Sequence, residues 1–372
     1  MITVTTVLFI SLIVLAIIIG VGIDSLEPTP PVRINQGVSS KAISIIVPFR
    51  NETERIRPLL ASLALLKDMP EVEVIFVDDH SEDQTADLIR SKLGDSLDFR
   101  ILQAEPSEGS AKKAAIEQAI KAAKYYWIAT LDADAEIAST WLSAVRDYLE
   151  NDPDVLIGPI AIEAKGDLLG TIQKVEALGI QQLARGMHGL SFPIVANGAN
   201  LIYKKRWFEK NTPYADNKQI ASGDDMFLLR KAVKERSRIH YLNESKGVVT
   251  VQGEVSWKAF FAQRTRWLKK SQAVGLVAAN LVGIYISLAN FWILVVLVGA
   301  FAGWNPWGTF IALVLFKTGA DFILSFYKVI TKIPWAFYKL LVTNLVYPWL
   351  MLIILTMSLS GSYTWKGRAY KK

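Results

Sequence analysis

The sequence contains no cysteine, which excludes disulfide bonds and thiolate metal sites. Its three histidines, His80, His188 and His240, are too few and too scattered to predict a zinc site. A Walker phosphate loop and a G-x-G-x-x-G motif are both absent, so neither an NTPase nor an ordinary dinucleotide enzyme is indicated. The net charge is +6, but no Lys/Arg-rich stripe with interleaved aromatic residues occurs in the charged middle of the chain, which argues against nucleic-acid binding.

Apolar residues are concentrated towards the two ends of the 372-residue chain. Residues 3–23 form an uncharged run long enough to cross a hydrocarbon core of about 30 Å as a helix. We interpret this run as a retained anchor, because no basic residue precedes it and no clear small-residue cleavage site follows it. Residues 273–360 are apolar again and carry tryptophans suited to interfacial belts. The composition therefore predicts a membrane protein with one water-soluble domain.

Changes in composition also set the expected boundaries. The stretch EPTPPVRINQGVSS predicts a short stiff linker after the anchor. Successive parts are then an anchor, a linker, a globular domain, an interfacial amphipathic helix, an apolar membrane region and a basic tail, at residues 1–24, 25–41, 42–255, 256–272, 273–360 and 361–372.

Basic residues predict the orientation in the membrane. Arg33 and Lys41 follow the anchor, so the positive-inside rule places the amino terminus outside and the domain in the cytoplasm. Residues 306–327 carry Lys317 and Asp321, which are four apart and can pair on one face of a crossing or re-entrant helix. The basic tail prefers the cytoplasm, which favours a segment that does not cross. The absence of cysteine favours a bacterial inner membrane over a eukaryotic endomembrane.

The positive net charge is most simply explained by basic residues beside the membrane. Lys269 and Lys270 precede the second apolar region, and we expect them to face anionic lipid headgroups. Membrane lipids are therefore predicted partners of this segment.

Between the apolar ends, short buried runs alternate with helical patterns. The runs ISIIVPF, VEVIFVDD, FRILQA and YYWIATLDAD predict strands, and the segments between them predict helices, one of which opens with a Ser81–Gln84 capping box. Strands separated by helices of this length imply right-handed crossovers, and so an α/β fold with a mostly parallel sheet. Ligands bind beyond the carboxyl ends of such strands.

Polar residues follow three of these predicted strands. The sequence PFRNE ends the first strand, Asp78 and Asp79 end the second, and Asp132 and Asp134 end the fourth. All three groups are expected at one edge of the sheet. Acids at i and i+2 of an extended segment point to the same side, which suits a hard divalent cation with oxygen ligands.

Seven segments in series resemble one known family. SIIVPFRNE, VIFVDDHSEDQT, AKKAAI, TLDADAEI, NGANLIYKK, GDDMFLL and QRTRW occur in the order and approximate spacing of the family 2 glycosyltransferases, membrane-attached enzymes of GT-A fold. The resemblance covers roughly Ala42 to Lys270. It implies a nucleotide-sugar donor, usually a UDP-sugar, a Mg²⁺ or Mn²⁺ ion, and transfer with inversion at the anomeric carbon.

The resemblance also implies roles for individual residues. The nucleoside pocket would be lined by Pro48, Arg50, Glu52 and either Asp79 or Asp78, with Lys112 and Asp132 nearby. Asp132 and Asp134 match the D-x-D motif, and Asp134 is the better candidate for direct metal contact. Asp225 matches the general base and Asp224 precedes it, while Gly198 and Asn200 match the sugar-site segment. Ala111 stands where glycine is expected, which leaves the choice between Lys112 and Lys113 open.

Residues 257–270 predict an amphipathic helix at the membrane surface. Within it, Gln263, Arg266 and Trp267 stand at i, i+3 and i+4, which brings them onto one surface. The resemblance implies that this arginine meets the diphosphate and that this tryptophan forms a platform for the acceptor.

Three functions remain to be separated. We favour transfer to a lipid or lipid-linked hydroxyl at the cytoplasmic face, because two or three spans after the domain are few for a polymer channel. A processive polysaccharide synthase is the alternative within the enzyme class. An inactive nucleotide-sugar-binding scaffold is the alternative of another class, and the presence of Asp132, Asp225 and Arg266 argues against it.

Overall fold

The computed structural model describes residues 2–26, 41–67, 69–94, 97–107, 109–331, 337–359, 362–365 and 368–371. The helices in these ranges are α1 Ile2–Ser25, α2 Arg57–Leu63, α3 Thr85–Leu93, α4 Ala111–Ala122, α5 Trp141–Leu149, α6 Leu168–Gly189, α7 Lys205–Asn211, α8 Asp224–Lys234, α9 Trp257–Val274, α10 Val277–Phe301, α11 Trp307–Phe326 and α12 Phe337–Ser358. The strands are β1 Ile43–Phe49, β2 Val72–Asp78, β3 Phe99–Gln103, β4 Trp127–Thr130, β5 Ala135–Ile137, β6 Val155–Ile157, β7 Ile160–Glu163, β8 Leu201–Lys204, β9 Ile239–Tyr241, β10 Val249–Gln252, β11 Ser362–Trp365 and β12 Arg368–Lys371.

A seven-stranded sheet forms the centre of the domain, in the order β3-β2-β1-β4-β8-β6-β9. The first four strands along the chain pair in parallel, and β8 is antiparallel to both of its neighbours. All seven residues of β2 are buried, as expected for a strand covered by helices on both faces. The predicted α/β fold with a mostly parallel sheet is confirmed.

Two apolar layers enclose this sheet. Side chains of α2, α3 and α5 pack on one face, and those of α4, α7 and α8 pack on the other. A second sheet, in the order β5-β10-β7, lies beside the first. Because the sheet is covered on both faces, the edge formed by the strand ends remains available for a site.

The predicted capping box at Ser81–Gln84 is wrong. The helix begins at Thr85, and Gln84 makes no side-chain cap. The Ser81 hydroxyl instead accepts from the backbone N–H of Asn51 at 3.1 Å, and the Ser81 N–H donates to Asp78 Oδ1 at 2.8 Å. Ser81 therefore ties the loop after β2 to the loop after β1.

Four described helices, α1, α10, α11 and α12, are long and apolar enough to cross a membrane. In α11 the predicted pairing is confirmed, since Lys317 Nζ lies 2.7 Å from Asp321 Oδ2 and 2.6 Å from Asn344 Oδ1 of α12. The α11 helix is continuous over 20 residues. Its length therefore permits a crossing of the membrane. The basic tail had instead favoured a segment that does not cross. In that tail, β11 and β12 pair antiparallel.

The anchor α1 packs directly on α6 of the domain. A Cβ added at Gly22 would lie 1.9 Å from the carbonyl oxygen of Gly186, and one added at Gly189 would lie 1.8 Å from the carbonyl oxygen of Gly22. Backbones approach this closely only where both residues lack side chains.

The end of the anchor also contacts the residues that follow α11. The Asp24 carboxylate accepts a hydrogen bond from the Tyr327 hydroxyl at 2.6 Å and forms an ion pair with Lys328 Nζ at 2.5 Å. Most of the predicted linker, residues 27–40, lies outside the described residues.

Candidate active site

A cavity of about 1140 Å³ opens at the carboxyl ends of β1 and β4 and reaches the apolar helices α10 and α12. It brings together predicted residues from widely separated segments. Those that line it are Pro48, Arg50, Glu52, Asp79, Lys112, Asp132, Asp134, Gly198, Asp224, Asp225, Gln263, Arg266 and Trp267.

Asp78 and Asn200 do not line this cavity. The Asp78 carboxylate is buried and accepts from the N–H of Ser81, so Asp79 is the member of the pair that faces the cavity. Asn200 is fully buried, and its side-chain amide donates to the carbonyl oxygens of Pro159 at 2.8 Å and Gly247 at 3.0 Å. Asn200 thus ties together the loops behind the site, which its position in the sequence did not reveal.

Lys112 bridges two acids at the polar end of the cavity. Its Nζ lies 2.8 Å from Asp132 Oδ1 and 3.1 Å from Asp224 Oδ2. Burial acts to lower the pKa of Lys112, but the two carboxylates outweigh burial and raise it above its ordinary value. A Cβ at Gly198 would lie 2.9 Å from Asp224 Oδ2, so the glycine leaves room for this ion pair.

Lys113 points away from the cavity and into the apolar layer. It is 2% exposed, donates to the carbonyl oxygen and to Oδ1 of Asn217 at 2.9 and 2.6 Å, and lies 4.2 Å from the ring centre of Phe227. Burial lowers the pKa of Lys113 to about 8, against the opposing effect of nearby acids. Of the two lysines left open by the sequence, Lys112 is therefore the one in the cavity.

Asp224 and Asp225 form the first turn of α8, after Gly223 at φ +89°. Burial raises the pKa of Asp224, and Asp225 and Asp132 act in the same direction while Lys112 opposes them. Lys270 Nζ of α9 lies 3.0 Å and 3.2 Å from the two carboxylate oxygens of Asp225. The expectation that Lys270 faces anionic lipid is wrong, because its side chain turns inward to this acid.

Asp134 forms an ion pair with Arg55, whose Nη2 also donates to the carbonyl oxygen of Gln252 at 2.9 Å. Within the described residues, no group of three or more His, Asp or Glu side chains is arranged to hold a metal ion. Mg²⁺ commonly binds to one or two carboxylates together with substrate phosphates and water. Asp132 and Asp134 supply such a pair in one cavity, so these residues fit a metal that binds together with a diphosphate.

The helix α9 carries the next group of side chains. Gln263 Nε2 donates to Glu254 Oε1 at 2.8 Å, and its Oε1 accepts from Arg264. The guanidinium of Arg264 lies 4.3 Å from the ring centre of Trp267.

Arg264 also joins α9 to two other helices. It forms an ion pair with Glu176 of α6, with Nε 2.7 Å from Oε2, and Glu176 Oε1 accepts from the Tyr347 hydroxyl of α12 at 2.7 Å. Sequence reasoning missed this buried network, because its members are 83 to 171 residues apart except for the adjacent Gln263 and Arg264. The only sequence signal for Arg264 was its place as the second residue of the QRTRW segment.

At its other end the cavity becomes an apolar groove between α10 and α12. We call this part the lateral groove; it is lined by Leu276, Val282, Ile284, Leu288, Phe291, Met351, Leu352, Ile354 and Leu355. Ile284 and Leu288 are 57% and 61% exposed, so the groove is open at its side. One continuous space therefore joins the acids of α8 to the surface of the apolar helices α10 and α12.

The mostly parallel sheet, the acids at its carboxyl edge and the Q-x-x-R-W residues in the same cavity agree with the class of glycosyl-transferring enzymes that the sequence resembles. Residues 44–236, just over half of the chain, match the family model described as glycosyl transferase family 2. The chain therefore belongs to this family.

Individual relatives cover the chain unevenly. A poly-beta-1,6-N-acetyl-D-glucosamine synthase of Staphylococcus epidermidis is 29% identical over 183 residues, 48% of this chain and 43% of that protein. The probable glycosyltransferase YdaM of Bacillus subtilis is 24% identical over 242 residues, 63% of this chain and 56% of that protein. The chain thus spans about half the length of these curated relatives.

A solved structure shares the fold over nearly the whole chain. It is the mannosyltransferase PcManGT from Pyrobaculum calidifontis in complex with GDP-Man and Mn²⁺. The TM-score is 0.59 at 17% identity, and the match covers 96% of this chain and 98% of that one. This similarity confirms the GT-A architecture.

Proposed function

We propose that the protein is an inverting, membrane-bound glycosyltransferase that moves a sugar from a UDP-sugar to a hydroxyl of a lipid or lipid-linked acceptor at the cytoplasmic face. The observation that carries this proposal is the continuity of the cavity, which joins a polar, acid-lined end to an apolar groove open at its side. A water-soluble acceptor would have no use for such a groove.

The polar end suits the donor. Arg50, Glu52 and Asp79 would bind the nucleoside, and Arg266 would meet the diphosphate. Asp132 and Asp134 would hold Mg²⁺ or Mn²⁺ together with that diphosphate. The metal, when bound, supplies a Lewis acid that stabilises the negative charge of the leaving UDP.

The apolar end suits the acceptor. Burying a hydrocarbon chain in the lateral groove would contribute about 0.8 kcal/mol for each CH₂ removed from water. The headgroup would then lie against Trp267, within reach of Asp225. As the acceptor oxygen bonds to the anomeric carbon, the bond from that carbon to the diphosphate breaks, and Asp225 accepts the hydroxyl proton.

A second candidate is a processive polysaccharide synthase. The relatives named as poly-beta-1,6-N-acetyl-D-glucosamine synthase favour it. The two candidates differ in product size, because a single transfer gives one added sugar on a lipid, whereas a synthase gives a ladder or a high polymer. Gel filtration of the product made from a radiolabelled donor separates them.

The first experiment measures nucleotide release by the detergent-purified protein. UDP-GlcNAc, UDP-glucose, UDP-galactose and GDP-mannose are each supplied with Mg²⁺ or Mn²⁺ and a total lipid extract of the expression host. Asp225→Asn is compared with Asp87→Asn, a control at an acid whose side chain is 81% exposed on α3. We expect turnover with one donor and a loss of roughly 10²- to 10⁴-fold in Asp225→Asn only, with donor binding retained.

Other outcomes would reject parts of the proposal. Equal release by Asp225→Asn would mean that the acid serves only to stabilise the first turn of α8. Nucleotide binding without turnover for any donor would favour the scaffold.

A further inference from the structure

The Lys270 ammonium contacts both carboxylate oxygens of Asp225, at 3.0 and 3.2 Å. The two side chains are 14% and 12% exposed, so this is a largely enclosed ion pair rather than a surface contact. It crosses from α9 to α8, between residues 45 apart in the sequence. Both residues line the cavity, so the pair lies where an acceptor would enter.

Gly223 makes room for the lysine. A Cβ at this position would lie 2.9 Å from Lys270 Cγ and 3.0 Å from its Cδ. The glycine also has φ +89°, a conformation that other residues rarely adopt. The aliphatic stem of Lys270 therefore passes over the turn that begins α8, and the absence of a side chain there lets the ammonium reach Asp225.

The two adjacent acids have different cationic partners. Lys112 of α4 neutralises Asp224 together with Asp132, whereas Lys270 of α9 neutralises Asp225. Because neighbouring carboxylates in an enclosed site repel each other, each cation also fixes the position of the carboxylate that it contacts.

We propose that Lys270 is a positioning residue for Asp225, holding its carboxylate turned towards the acceptor end of the cavity. This inference rests on the proposed role of Asp225 as the proton acceptor. The base is then assembled from two helices, because α8 supplies the carboxylate and α9, which also carries Gln263, Arg266 and Trp267, supplies the ammonium that orients it.

The test compares Lys270→Met, Lys270→Arg and Lys258→Met, the last being a control at an exposed lysine in the first turn of the same helix. Transfer is followed as UDP release at saturating donor, and donor binding is measured separately by calorimetry. We expect Lys270→Met to lower kcat by roughly 10- to 100-fold while donor affinity changes less than about threefold, since orientation of the base is lost but the base remains. Lys270→Arg should recover part of the rate, and Lys258→Met should leave it unchanged.

The same substitution in the Asp225→Asn background separates this role from a direct contact with the diphosphate. If Lys270 acts through Asp225, Lys270→Met should lower the residual rate no further. A further loss in that background, unchanged kcat in the single variant, or a loss confined to donor binding would each overturn the inference. Absence of transfer by the wild-type protein would overturn the proposed function and this role with it, whereas transfer that Lys270→Met leaves unaffected would overturn only the role of Lys270.

Discussion

Replacing Glu176 by glutamine should destabilise the protein strongly, because it leaves Arg264 without its carboxylate. Arg264 is 4% exposed and Glu176 only slightly more, and the pair is held by two guanidinium nitrogens and the Tyr347 hydroxyl. Removing one member of a buried ion pair costs about 3–5 kcal/mol, since the remaining charge stays enclosed. Glutamine has nearly the same shape as glutamate, so the change tests charge rather than packing.

The matched control is Glu163→Gln. Glu163 likewise forms an ion pair, with Lys174 at 2.8 Å, but its side chain is 63% exposed. Exposed ion pairs contribute only about 0–1 kcal/mol to the free energy of unfolding. With a shift of about 2 °C per kcal/mol for a chain of this length, Glu176→Gln should lower the thermal midpoint by roughly 5–10 °C and Glu163→Gln by at most about 2 °C. Both are measured in one detergent at one scan rate.

The double variant Glu176→Leu with Arg264→Leu completes the test. Replacing a buried ion pair by apolar residues is often close to neutral, so the double variant should recover most of the loss. If Glu176→Gln unfolds at the wild-type temperature, the buried charge is already neutralised by something other than Glu176, and the reasoning fails.

Two further predictions concern Lys113 and the contact between α1 and α6. Because the pKa of Lys113 is about 8 in the folded state and lies near its ordinary value of 10.5 when unfolded, the unfolded chain binds more protons between these values, and stability should rise with pH across that range. Lys113→Met should remove a rise of roughly 3 kcal/mol, so the unfolding free energy of the wild type should gain about that much over that of the variant between pH 8 and 10.5; a difference between the two that stays constant with pH would contradict the lowered pKa of Lys113. Gly22→Ala places a Cβ 1.9 Å from the carbonyl oxygen of Gly186 and should cost about 1–3 kcal/mol in thermal unfolding, whereas Gly20→Ala, whose Cβ meets its nearest atom at 3.8 Å, should be tolerated. Equal effects of the two alanines would mean that the helices do not pack as described.

The strands β1, β2 and β4 of the parallel half of the sheet were predictable from the sequence because they are buried on both faces. Runs such as ISIIVPF and VEVIFVD are almost wholly apolar and are separated by helical patterns. The strands β6 and β9 are only three residues long, too short for any periodicity to identify them. The antiparallel insertion of β8 between β4 and β6 depends on tertiary contacts that local patterns do not encode.

The residues of the candidate site likewise fall into those that the sequence could identify and those that it could not. Acids at strand ends and at the start of α8 could be found because local spacing marks them, and the cavity contains Asp132, Asp134, Asp224 and Asp225. Their cationic partners could not be found, since Lys270 resembles any basic residue beside a membrane until α9 is placed against α8. Asn200 shows the opposite error. Its sequence segment resembles the sugar-site segment of the family, but its side-chain hydrogen bonds all go to residues inside the domain.

The backbone contact between α1 and α6 has a consequence for substrate access. A domain attached by a flexible linker moves relative to the bilayer, so it can reach acceptors at many distances from the membrane surface. Here the glycines of the two helices are in direct contact, and Asp24 fastens the end of the anchor to the end of α11. If the acceptor is a lipid, as proposed, this contact would hold the reaction centre at a constant height relative to the hydrocarbon surface, and lateral diffusion in two dimensions, rather than movement of the domain, would bring the acceptor to it.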